Sequence, residues 1–227
     1  MRFHIHRKIM LFFSIMILTV PVCFANNELY KKAKILHRNG QLDEAIYAYK
    51  NYLTEPVDEG IDLTMYTDAL VQLMNTFQSK GDPEGCISAL EQVFESSPTL
   101  QNEYLRDFYS VMGYALSRTE KMKQAEETTL KALTLPLHNA TPERYFRDYA
   151  YAAAVFYSNP DYQSEVIGWC QEALVQAKSC KNTSGQQWVM SMLGSLYKRT
   201  GNLNEALELF QRSIEESRSR EDNLGGA

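Results

Sequence analysis

Chemistry at neutral pH needs imidazoles, thiols or carboxylates brought into register, and this sequence spreads them thinly. Beyond the first 25 residues there are two histidines, His37 and His138, and three cysteines, Cys86, Cys170 and Cys180. The histidines lie about 100 residues apart, and the cysteines form no close pair and match no zinc spacing. An odd number of dispersed thiols argues against a disulfide framework, so all three are expected to be small buried residues. Paired carboxylates occur at Glu126-Glu127 and Glu215-Glu216. Adjacent helical residues point about 100° apart, so these read as solvated faces rather than acid/base pairs. No glycine-rich phosphate loop and no nucleophile elbow is present. The expectation is a protein with no catalytic residues, no metal site and no cofactor.

The elements that would position any site begin after a leader. Residues 1–25, "MRFHIHRKIMLFFSIMILTVPVCFA", combine a basic start, an apolar run and a small-residue end, the pattern of a secretory signal peptide. The run from Ile9 to Val22 is 14 residues, which as a helix covers roughly 21 Å against a hydrocarbon core of about 30 Å. Cleavage is expected after Ala25. The alternatives are acylation of Cys23, which Val20, Pro21 and Val22 fit poorly, and a retained anchor, the one route to membrane contact within these residues. The localisation implied is exported: periplasmic or otherwise extracytoplasmic. Removing Arg2, Arg7 and Lys8 from 23 basic residues against 28 acidic ones takes the formal charge from −5 to −8. A chain this acidic is a poor nucleic-acid binder.

The remainder is periodic. "RNGQLDEAIYAYKNYL", "SKGDPEGCISALEQVF", "RTEKMKQAEETTLKAL", "SNPDYQSEVIGWCQEAL" and "RTGNLNEALELFQRSI" share one plan: a tight turn, a small or short apolar residue early in a helix, then apolar residues four and seven places on. The anchoring residues Ala45, Cys86, Ala125, Val166 and Ala206 are 41, 39, 41 and 40 apart. So regular a period means tandem units. A second helix precedes each turn, with Tyr109, Met112, Gly113 and Leu116 on one face in the third unit and Met190, Leu193, Gly194 and Tyr197 in the fifth. Glycine costs a helix interior roughly 1 kcal/mol against alanine, so one kept there points to a close helix approach. Thr141-Pro142-Glu143 and Asp82-Pro83-Glu84 read as helix starts. No stretch alternates as a strand would.

Leu193-Gly194, Tyr197, Gly201, Leu203, Glu205-Ala206 and Phe210, with Pro98 closing the second unit, resemble the tetratricopeptide repeat, TPR. The resemblance covers nearly all of the chain after the leader and departs in length, a period near 40 residues against the usual 34. It implies an all-α fold, a right-handed α-α superhelix or TPR-like solenoid of about five helical hairpins. The units fall at about 26–56, 62–98, 101–136, 142–180 and 184–219, within a repeat domain spanning 26–219.

The resemblance also implies that the first helices line a concave groove for a protein or peptide. By alignment the inward positions are Tyr30, Lys34, His37 and Arg38, then Val71, Asn75 and Gln78, then Ser110, Tyr114, Ser117 and Arg118, then Tyr151, Val155 and Ser158, then Trp188, Ser191, Ser195, Lys198 and Arg199. Of these, Tyr30, Lys34, Arg38, Asn75, Tyr114, Arg118, Tyr151, Trp188, Lys198 and Arg199 are the candidate binding residues. Aromatic area with hydrogen-bonding groups suits an extended segment. Tyr30, Val71 and Ser110 stand where a clamp for a terminal carboxylate would need charged or polar groups, which argues against that activity. Trp188 has two readings, a packing residue between repeats or a partner's anchor.

Residues 217–227 align with the linker that opens a repeat, so 220–227 are expected to be the start of a sixth repeat, truncated. That leaves Leu207 and Ile214 on a face for further repeats or self-association. The function expected is a non-enzymatic protein- or peptide-binding module outside the cytoplasm, the N-terminal sensory or interaction region of a longer membrane-associated signalling protein. It resembles periplasmic TPR sensor regions of bacterial signalling proteins. The alternatives are a free-standing periplasmic scaffold or assembly factor and, more remotely, an enzyme.

Overall fold

Short oxygen-bearing side chains cap three of the helices at their starts. The computed structural model describes residues 27–55, 63–97, 100–101, 104–137 and 140–225; the leader, Pro98 and His138 lie outside them. Asp82 accepts a hydrogen bond from the Gly85 amide at 2.8 Å, and Asn182 one from the Gly185 amide at 2.9 Å. Thr141 does the same for the Arg144 amide, with proline in the first turn behind both Asp82 and Thr141. Each cap satisfies an amide that the helix itself cannot.

The helices are α1 (27–38), α2 (Leu42–Thr54), α3 (Leu63–Lys80), α4 (Pro83–Ser96), α5 (Leu105–Leu116), α6 (Met122–Thr134), α7 (Pro142–Phe156), α8 (Gln163–Ser179), α9 (Thr183–Arg199) and α10 (Leu203–Gly225). No strand occurs among the described residues. Turns between paired helices use Gly40, Gly81 and Gly201 at φ of 76°, 73° and 84°, the left-handed region open to a residue without Cβ. Before α8 the turn is instead a 3-10 helix, Pro160–Tyr162, capped by Asn159.

The chain divides between Val111 and Met112 into two compact modules. In the first, α2 packs on α3 and on α4, and α3 on α4. Its interior is a run of tyrosines: Tyr30 against Tyr52 at 5.5 Å, Tyr52 against Tyr66 at 6.1 Å, and Tyr66 against Tyr104 at 5.0 Å. The Tyr66 hydroxyl donates to the Leu53 carbonyl at 2.8 Å. In the second module each of α6 to α9 packs on the next, and α9 also reaches α7. Contact between next-but-one helices is the mark of stacked hairpins.

The close-approach glycines behave as their positions imply. A Cβ on Gly113 would come within 2.3 Å of Thr129 Oγ1 and 3.3 Å of the Ala125 carbonyl, so α5 and α6 meet nearly backbone to backbone. On Gly194 it would meet the Phe210 ring at 2.8 Å. The repeat anchors Ala45, Ala125 and Val166 are fully buried, and Cys86 and Ala206 nearly so.

The C-terminal boundary differs from expectation. Residues 220–225 continue α10 as one helix past 219, where the sequence pattern places a linker. "SRSREDNL" contains neither the glycine that follows α1, α3 and α9 nor a proline, and nothing in it forces a stop.

Candidate functional site

Three aromatic side chains from three helices set the geometry of the second module's cleft. Tyr114 near the end of α5 and Tyr151 on α7 stack with ring centroids 4.4 Å apart and planes 8° from parallel. Trp188, in the second turn of α9, meets both edge-on at 6.0 and 6.3 Å. Tyr151 is buried and backs the stack, while Tyr114 and Trp188 stay half-exposed on the cleft wall. A ring wedged between two others loses little further freedom on binding, which favours it as an anchor.

The cleft beside them has a volume of about 420 Å³. It is lined by Tyr114, Ser117, Arg118, Met122, Ala154, Val155, Tyr157, Ser158, Trp188, Ser191, Met192 and Ser195. Small residues on α7 and α9 leave the space; methionine, tyrosine and tryptophan wall it. Ser117 donates to the Tyr114 carbonyl at 2.7 Å and Ser195 to the Ser191 carbonyl at 2.9 Å. Their protons are thus engaged by their own helices, and their oxygens can still accept. Arg199 at the end of α9 donates to the Tyr157 carbonyl at 2.7 Å, with its guanidinium carbon 4.9 Å from the Tyr157 ring centre. That pair fixes one rim of the cleft.

The structure gathers part of the expected set. Tyr114, Arg118 and Trp188 line one cleft with Ser117, Val155, Ser158, Ser191 and Ser195. Arg199 holds its edge, and Lys198 is exposed on the same turn of α9. Trp188 therefore packs between helices and faces the cleft at once. Tyr151 contributes from behind rather than as lining.

The first-module candidates do not form a comparable set. Tyr30 corrects the groove assignment: it is 7% exposed, its ring lies against Tyr49 and Tyr52, and its hydroxyl donates to Asp68. Its phase on α1 is that of fully buried Ala33, three residues on, so it belongs to the core face. Burial and the Asp68 carboxylate push its phenol above the usual range. Lys34 pairs with Asp68 at 3.6 Å. Arg38 is exposed at the last turn of α1, and Asn75 is half-buried on α3.

The lining residues missed from sequence are Met122, Ala154, Tyr157 and Met192. Met122 begins a second helix and Tyr157 sits in a turn, whereas the groove was assigned to first helices alone. Tyr157 was the one with a signal, an aromatic three residues beyond Ala154 and next to Ser158.

Cys86 and Cys170 are buried and free, and burial pushes each thiol up to about 12. Cys180 is free and half-exposed. Among the described residues no group of His, Cys, Asp and Glu could hold a metal ion, and no helix is long and apolar enough to cross a membrane.

Stacked helical hairpins with a cleft across the first helices define a TPR-like solenoid, and the known proteins that this chain resembles share that fold. Residues 189–224 match the tetratricopeptide repeat family. Among solved structures, BtubC from P. vanneervenii superposes with a TM-score of 0.60 at 14% identity, covering 89% of this chain and 84% of that one. A thermophilic TPR protein from Thermus thermophilus gives 0.57 at 18% identity over 87% and 94%. MamA from Desulfovibrio magneticus RS-1 gives 0.53 at 16% identity over 86% and 96%. At these identities the likeness is one of fold. No curated protein sequence matches the chain.

Proposed function

We propose that this chain is a non-enzymatic module that binds a protein or an extended peptide in the cleft between α5, α7 and α9. The observation that carries the reading is the cleft itself: a 420 Å³ space walled by Tyr114, Trp188 and Met192 and floored by hydroxyls and a small residue. Aromatic walls give area and the serine oxygens can accept from backbone amides, which suits a polypeptide. The test is a photoreactive benzophenone side chain at Ser191 in the cleft, against the same group at exposed Ser164 on α8. Crosslinks to a discrete partner from Ser191 alone support the proposal; equal labelling from both positions contradicts it.

The setting proposed is outside the cytoplasm, supported by the leader pattern of residues 1–25. N-terminal sequencing of the exported protein should start at Asn26; retention of Met1 in a cytosolic fraction contradicts it. Within that setting we propose the interaction region of a longer membrane-associated signalling protein. Its support is the face of α10, where Leu203, Leu207 and Ile214 are 62%, 56% and 51% exposed, as the seat of a further repeat would be. Sequencing the gene past the Ala227 codon should reveal more repeats and a span of about 20 apolar residues; an immediate stop favours the free-standing scaffold.

A further inference from the structure

We infer that the occupant of this cleft is an acidic peptide segment, in which a carboxylate lies about five residues from an apolar side chain; the inference rests on the peptide-binding reading above. The observation is an imbalance of charge. The chain carries 28 acidic residues against 23 basic ones, yet no acidic side chain is among the residues lining the cleft. Its one formal charge is Arg118, exposed just beyond the end of α5. Lys198 and Arg199 stand at the end of α9. Arg118, Lys198 and Arg199 make no ion pair with the described residues, so all three charges stay open to a ligand.

The placement of these cations has a bland explanation in part. Basic residues at helix C-termini complement the helix dipole, and Arg199 uses one donor on the Tyr157 carbonyl. A guanidinium has five N–H donors, so most of its capacity remains. The Arg118 side chain makes no such hydrogen bond to the described residues, and its planar fork fits a carboxylate two bonds at a time.

The register follows from helix geometry. Trp188 and Arg199 are separated by eleven steps along α9, which at 1.5 Å per residue is about 16 Å. An extended chain covers roughly 3.3 Å per residue, so about five residues bridge that distance. An apolar side chain seated against Trp188 and Met192 thus sets a carboxylate at the cationic end.

The probe is a random twelve-residue peptide library displayed on phage, selected on the purified chain and on the double variant Arg118→Glu, Arg199→Glu. Both positions are exposed, and melting curves matched to the parent certify the fold. The Arg118→Gln, Arg199→Gln pair serves as a second variant. Selection on the parent should enrich Asp and Glu four to six positions from Phe, Leu, Met or Trp. The neutral pair should lose that enrichment, and the reversed pair should turn it to Lys and Arg. Peptides selected with no acidic bias, or with the same bias on the reversed variant, overturn the acidic-ligand inference and leave peptide binding standing. No selection above that on an unrelated helical protein overturns both.

Discussion

Gly113 and Gly168 both sit inside helices, and their surroundings demand opposite outcomes on substitution by alanine. At Gly168 a Cβ meets nothing within 4 Å, so Gly168→Ala should stabilise by about 0.5–1 kcal/mol through helix propensity alone. At Gly113 the new methyl would meet Thr129 Oγ1 at 2.3 Å and backbone atoms of α6 at 3.2 and 3.3 Å. Overpacking there costs about 1–3 kcal/mol, which outweighs the propensity gain. Urea unfolding of the two variants should move the midpoint in opposite directions; a rise in both would show that α5 and α6 do not approach as described. Gly113 could be singled out from its helical context, whereas the fate of Tyr30 could not. Tyr30 and Lys34 share one side of α1, and the partner that decided between groove and core was Asp68, 38 residues away. The thiols give a residue-scale test as well. With Cys86 and Cys170 buried and raised to about 12, iodoacetamide at pH 8 should label Cys180 fastest of the three; comparable labelling of all three contradicts their burial.

At the scale of elements, α9 and α10 test how stacking divides burial. Leu193 on α9 is 3% exposed, while Leu207 on α10 is 56% exposed. Leu193→Ala should cost about 2–5 kcal/mol and Leu207→Ala less than about 0.5 kcal/mol. Equal losses in thermal melts would mean that α10 is covered on both faces. The cap of α9 is a separate lever: Asn182→Ala removes the acceptor for the Gly185 amide and should cost about 1 kcal/mol. Helix starts and the repeat register were legible because caps, prolines and the spaced small residues are local signals. The cleft was legible only in part. Its first-helix residues Tyr114, Arg118 and Trp188 are what the TPR resemblance implies, but Met122 enters from the start of α6 and Tyr157 from the turn after α7, at positions that depend on how α5, α6 and α7 pack. The length of α10 was not legible, since no glycine or proline marks an end before Gly225.

For the whole molecule, pH dependence follows from buried acids of the protonated kind. Cys86 and Cys170 are pushed up from an ordinary 9.0 to about 12, and Tyr66 from 10.0 to about 12, each chiefly by burial. Between pH 9 and 12 the unfolded chain loses these protons while the folded one keeps them, so stability falls as pH rises. The melting temperature should decline steadily above about pH 9; a flat profile to pH 11 would show those groups to be solvated. Binding is the claim on which the account turns, and it can be measured on the same protein. The affinity of library-selected peptides should fall at least tenfold when Ser191→Trp fills the cleft and stay unchanged for Ser164→Trp on α8. Full affinity in the Ser191→Trp variant would contradict the cleft as the binding surface.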